Sequence, residues 1–182
     1  MFLEILVVLV LIMCNALLAM SELAVVSSRR SRLQELVKRR HGGSRAAMRL
    51  LENPTDFLST VQVGITLVGV LAAAYSGATL AEHLGAWLDD WPWIAPYGQP
   101  SAIVIVALGV TYVQVVIGEL VPKRIALNDP ERVASALAPL MRSVARVTAP
   151  AVWLARLSTD SVLRLFGLAR DRKLTVTEDE VR

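Results

Sequence analysis

Glu119 lies inside an apolar run from Ile103 to Val121, and Glu22 stands near the end of another that begins at Ile5. A charged side chain at the centre of a membrane helix costs about 2.5 to 3.5 kcal/mol on insertion scales, so an acid inside such a run calls for a partner or an ion. Ser21 precedes Glu22, and Asn15 stands seven residues before it, two turns along the same helical face. In a third apolar run Ser59, Gln62, Thr66 and Gly69 recur at spacings of three, four and three, one polar stripe on an apolar helix. Carboxylates, hydroxyls and an amide are hard oxygen ligands that suit Mg2+, Ca2+ or Na+ better than zinc or copper. His41 and His83 stand alone as solvated residues, Cys14 is the single thiol, and no nucleophile and base occur at useful spacing. The chemistry on offer is therefore ion binding, not catalysis. Two plainer readings stand beside it: Glu119 as a helix-end acid reaching the membrane interface, and the stripe as a helix-packing surface.

The elements that must position these residues are membrane helices. The chain has 182 residues, 54% hydrophobic and 19% charged, with a mean hydropathy of +0.52, which is too apolar for a soluble domain of this length. Its net charge of +3 conceals a segregation: no Lys or Arg occurs in residues 1–28 or 50–122, eight fall between Arg29 and Arg49, and eleven lie from Lys123 onward. The positive-inside rule then puts residues 29–49 and everything after Lys123 in the cytoplasm, and the N-terminus and residues 79–100 outside. That orientation needs an odd number of spans. Three fit, over residues 5–26, 57–75 and 103–121, in a multi-pass protein of the cell's inner (plasma) membrane. The first is no signal peptide, since Glu4 replaces a basic residue and the run is too long. Basic patches beside membrane helices answer to orientation and anionic lipid, not to nucleic acid.

The expected fold is thus all-α, three spans with amphipathic juxtamembrane helices over residues 29–51 and 130–170, the N-terminus outside and the C-terminus cytoplasmic. The first juxtamembrane segment is interrupted at His41-Gly42-Gly43-Ser44. Asn53-Pro54-Thr55-Asp56 and Asn128-Asp129-Pro130-Glu131 each read as a capped, proline-led helix start. Residues 79–100 form an outer loop whose Trp91 and Trp93 suit the interface. Pro139, Pro150 and scattered arginines divide the sequence after 130, with a re-entrant hairpin at Pro150 as an alternative. Residues 173–182, with a possible cap at Thr177, read as the start of a linker to a soluble region that this chain does not include. Pro122 lacks an N–H and should break or bend the third span, which would free carbonyls near Gly118.

Span geometry also gives depth. Glu119 lies about 10 Å to the cytoplasmic side of its midpoint. Ser21 and Glu22 share that level, as do Ser59, Thr60 and Gln62, with Gly64 and Thr66 a little deeper. Oxygen-bearing groups of three helices converge at one level.

The segments Ser21-Glu22-Leu23-Ala24-Val25-Val26-Ser27-Ser28-Arg29-Arg30-Ser31-Arg32-Leu33, Leu50-Leu51-Glu52-Asn53-Pro54, Leu58 to Leu67 and Gly118-Glu119-Leu120-Val121-Pro122-Lys123, in this order, resemble the transmembrane domain of the CorC/CNNM family. The resemblance implies Mg2+ transport, generally export, with Na+ as a proposed coupling ion. It implies a homodimer in the lipid bilayer and nucleotide binding only through cytoplasmic CBS domains that follow this region. It also implies Ser21 and Glu119 as Mg2+ ligands, to which the break near Pro122 would add the Gly118 carbonyl. Many relatives have asparagines after the second-span glycine where this chain reads Gly64-Ile65-Thr66, so Gln62, Thr66 or a carbonyl near Gly64 is expected to substitute. Glu22 joins the expected set, although some relatives have no acid there. The alternative is a membrane anchor and dimerisation module for a regulatory domain, with Glu119 paired to Lys123 or Arg124.

Overall fold

The computed structural model describes residues 2–52, 54–93 and 97–166. Helix is the regular structure throughout, with no strand among the described residues. Three helical segments are long and apolar enough to cross a bilayer: α1 (Phe2–Ser27), α4 (Pro54–Asp89) and a rod over Gly98–Asn128. Between the first two lie the short helices α2 (Arg30–Lys38) and α3 (Ser44–Glu52). The rod comprises α5 (Gly98–Val115), a π-turn (Val116–Leu120) and α6 (Val121–Asn128), and α7 (Pro130–Leu165) follows. The chain divides into two compact units, residues 1–149 and 150–182. Thr177 and the whole of the expected linker at 173–182 lie outside the described residues, as does Asn53 of the first cap.

α4 differs from expectation at its outer end. Its 36 residues span about 54 Å, well beyond a hydrocarbon core of roughly 30 Å. The segment at 79–100 is therefore mostly helix, with a short connection after Asp89. Glu82 ends the lipid-compatible stretch but not the helix, because Leu84, Ala86 and Leu88 after it, like Ala78, Leu80 and Ala81 before it, are good helix formers. Ala81, Gly85 and Leu88 are buried. A Cβ at Gly85 would overlap the Gln99 side chain, which marks how closely α4 and α5 pair. Trp87 and Trp91 meet edge to face at 5.8 Å. His83, read from sequence as isolated, faces Glu4 of α1 with Nδ1 3.6 Å from Oε2.

On the other side of the spans a collar forms around one apolar cluster. Leu18 and Val25 of α1, Leu33 of α2, Ala47 of α3, Phe57 and Val61 of α4, Ala126 of α6 and Met141 of α7 pack together. α2 ends in a Schellman motif, His41 N–H to Leu36 O at 3.0 Å and Arg40 N–H to Val37 O at 3.0 Å, with Arg40 at φ +55° where glycine is usual. Asp129, not Asn128, caps α7, its Oδ1 accepting from Arg132 N–H at 3.3 Å. Buried Glu131 accepts the Arg29 N–H at 3.1 Å, tying α7 to the turn between α1 and α2.

The prolines expected to divide this region do not interrupt α7. Pro139 removes the donor that would serve the Ser135 carbonyl, and Gly43 packs directly on that oxygen. In the second unit the helix likewise runs on past Pro150, without the hairpin considered there.

Gly43 has φ +75°, and a Cβ there would overlap the Ser135 carbonyl, whereas Gly42 faces open space. Gly43→Ala is therefore expected to destabilise the collar by about 1 to 3 kcal/mol, with Gly42→Ala within about 0.5 kcal/mol of the parent. Thermal denaturation followed by size-exclusion chromatography in detergent checks this, and equal midpoints for the two variants would contradict the packing.

Candidate ion site at the π-turn

The site is built around a carbonyl that α-helical geometry cannot satisfy. In an α-helix the oxygen of residue 118 accepts from the N–H of residue 122, and residue 122 is proline. The rod adapts by widening: residues 116–120 adopt π geometry, and Val121 N–H bonds Val116 O, five residues back. Helical dihedrals then continue through Leu120 and Val121 into α6. The break expected at Pro122 is thus a π-turn placed before it. Asn15 of α1, fully buried, donates Nδ2–H to the Gly118 carbonyl at 3.1 Å. Gly118 is buried too, and a Cβ on it would lie 3.3 Å from Asn15 Nδ2. The other end of the amide, Asn15 Oδ1, is buried with no hydrogen-bond partner.

Beside this contact the two acids share one cation. Lys123 Nζ stands 3.7 Å from Glu119 Oε2 and 3.9 Å from Glu22 Oε2. Both separations exceed hydrogen-bonding distance, so the ammonium is held by charge and is exchangeable. The structure thus brings Glu22, Glu119, Gly118 and Lys123 to one place from α1 and the π-turn rod.

The remaining expected residues are distributed differently. Ser21 is buried, with Oγ 2.8 Å from the Leu18 carbonyl and 3.0 Å from Met141 Sδ, which turns it toward α7. Gly64 is buried against Leu18 of α1, whose Cδ1 would lie 3.1 Å from a Cβ there. Gln62 and Thr66 are exposed, and Thr66 Oγ1 bonds the Gln62 carbonyl at 2.9 Å within its own helix. At 100° per residue they lie on the side of α4 opposite Gly64. Gly69, on their face, abuts Gln114 of α5, whose Oε1 is a second buried oxygen without a partner.

Sequence reading noted Asn15 but left it outside the site. The signal was available: Pro122 predicts a free carbonyl four residues earlier, and a mid-span amide is a suitable donor for it. What was missing was the pairing of α1 with the π-turn, a contact across 103 residues. Among the described residues no group of three or more His, Cys, Asp or Glu is placed to hold a metal. A metal here would need amide, hydroxyl and carbonyl oxygens in addition to the acids.

The family model described as CNNM, Cyclin M transmembrane N-terminal domain, matches residues 6–182. The chain belongs to this family. A Synechocystis protein called UPF0053 protein sll0260 is 47% identical over 180 residues, covering 99% of this chain and 40% of the relative. Proteins called polyamine export protein are similar at lower identity. The one from Haemophilus influenzae is 27% identical over 183 residues (99% of this chain, 41% of the relative). The one from Escherichia coli K12 is 29% identical over 178 residues (98% and 40%). The chain spans about 40% of the length of these curated relatives. It is the membrane domain of a CNNM protein, multi-pass by its three candidate spans.

In this CNNM domain the Lys123 ammonium stands where a cation bound to Glu22 and Glu119 would have to stand. Lys123→Gln is expected to raise divalent-cation affinity several-fold, about 1 kcal/mol, measured by isothermal titration on the full-length protein. Affinity unchanged or lowered would show that the ammonium does not occupy the cation's place.

Proposed function

We propose that the domain carries Mg2+ across the membrane, as an exporter with Na+ as coupling ion, binding it largely dehydrated between its helices and releasing it by alternating access. The observation that supports this most directly is the convergence of Glu22 and Glu119 from two membrane helices beside the π-turn, next to the buried Gly118 carbonyl. Mg2+ holds its water tightly and accepts hard oxygens in near-octahedral order, so the site needs several oxygens already in position. Glu119 supplies charge, Gly118 a carbonyl, and Ser21 lone pairs on an oxygen whose proton serves Leu18. Glu22 assists from the neighbouring turn. Gly64 can contribute only backbone, and Gln62 and Thr66 reach the ion when α4 shifts against α1, the kind of movement alternating access requires. A second copy of the chain would cover the exposed Gln62 and Thr66, and a homodimer in the inner membrane is part of the proposal. Nucleotide regulation would reside in CBS domains outside this segment.

A second reading is favoured by two observations. The Haemophilus and Escherichia relatives are called polyamine export proteins, and Lys123 is itself a primary ammonium held between the two carboxylates. On this reading the cargo is a polyamine whose terminal ammonium replaces that of Lys123. Mg2+ is preferred because the Gly118 carbonyl and the unpartnered Asn15 oxygen are neutral hard ligands on the same two helices.

Reconstituted full-length protein separates these readings. Mg2+ flux is expected in liposomes, spermidine is expected not to compete, and Glu119→Ala is expected to weaken Mg2+ binding about tenfold or more. Spermidine flux with none for Mg2+ would establish the second reading, and no flux of either would leave a membrane anchor. Undiminished Mg2+ binding by Glu119→Ala would remove Glu119 from the site.

A further inference from the structure

Asn15 offers more than a hydrogen bond to its neighbour. Its amide has two ends of nearly equal size, a donor that serves the Gly118 carbonyl and an acceptor, Oδ1, that serves nothing. The residue is fully buried, and an unmet buried acceptor is costly. Pro122 leaves the Gly118 carbonyl without its α-helical donor, so that oxygen is also free for another partner once the amide releases it. Turning the amide about its last side-chain bond exchanges nitrogen for oxygen at nearly the same position. Oδ1 would then stand at the 3.1 Å now separating Nδ2 from the Gly118 oxygen. Two bare oxygens at that distance repel unless a cation lies between them. Adjacent ligands of an octahedral Mg2+, each about 2.1 Å from the ion, are about 3.0 Å apart.

We propose that Asn15 is a two-state ligand for a small hard divalent cation. Without the ion its N–H latches the Gly118 carbonyl, and with the ion the amide turns so that Oδ1 and the Gly118 oxygen become neighbouring ligands. Latch and ligand exclude one another, so the orientation of this one buried amide distinguishes the ion-free state from the ion-bound one. Larger polyamine cations lack the close two-oxygen contact that would drive this turn. The inference rests on the reading of this domain as a Mg2+ transporter and adds to it a ligand from the middle of α1.

Isothermal titration of the full-length protein in nanodiscs with Mg2+ alone tests both, and they fail separately. No Mg2+ binding by the parent protein overturns the transporter reading and this inference with it. Given binding by the parent, Asn15→Leu, similar in size but with neither donor nor ligand, is expected to lose about tenfold or more in affinity. Equal affinity in a folded Asn15→Leu overturns the inference and leaves the transporter reading intact. Asn15→Asp keeps a ligand oxygen and loses the donor, so it is expected to bind Mg2+ at least as tightly as the parent. Were Asn15 only a structural latch, Asn15→Asp would place a carboxylate against an undonated carbonyl and lose as much as Asn15→Leu, and that result also overturns the inference. If Asn15→Leu does not elute as a folded species, Asn15→Asp and Pro122→Ala decide. Pro122→Ala restores a backbone donor to Gly118 and is expected to weaken Mg2+ binding several-fold without touching Asn15, and unchanged affinity there contradicts the proposed ligand pair.

Discussion

Everything at the centre of this domain follows from one missing hydrogen. Within a bilayer each backbone polar group must find its partner inside the protein, and a carbonyl without one costs several kcal/mol. Pro122 creates such a carbonyl at Gly118. The rod answers with a π-turn, and α1 answers with a buried amide at 3.1 Å. The donor is a side chain and not backbone. The proposed ion exchange at this carbonyl depends on that, since a cation could not displace a continuous helical ladder. Pro139 likewise removes the helical donor of the Ser135 carbonyl, and Gly43 packs so close to that oxygen that a Cβ there would overlap it. There the contact is rigid packing between collar elements, with no polar side chain to turn.

Charge and packing meet at the Lys123 end of the same rod. Lys123 is the first basic residue after a long stretch without any, and it stands between Glu22 and Glu119. The collar of α2, α3, α6 and the first part of α7 packs directly on this end, with Leu18 and Met141 in its core and Ser21 against Met141. The candidate site thus rests on a folded cluster stabilised by apolar burial. The spans above it have no comparable hydrophobic drive and associate through small residues and close packing, as at Gly64 and Gly118.

Much of this arrangement was legible in the amino-acid order. Periodicity and hydropathy identified three membrane helices, an interrupted amphipathic segment after the first, and the proline-led start of α7. The outer end of α4 was misjudged because hydropathy reports where lipid ends, while helix propensity continues through Ala78 to Leu88. The prolines were read as breaks because a missing donor is a local fact and its compensation is not. Pro122 is absorbed by a π-turn and by Asn15, a partner far away in sequence.

By itself the sequence determined the class of protein, its number of spans, the charged rod end and the hard-oxygen character of the candidate ligands, since residue type and spacing suffice for these. Only the tertiary structure decided which oxygens meet. It joined Glu22 to Glu119 through Lys123 and brought Asn15 to Gly118. It also turned Ser21 toward Met141 and left Gln62 and Thr66 on the exposed side of α4. The reason is geometric: depth along a helix axis can be counted from residue numbers, but rotation about that axis is set by neighbours. A shift of two residues carries a side chain to the opposite face.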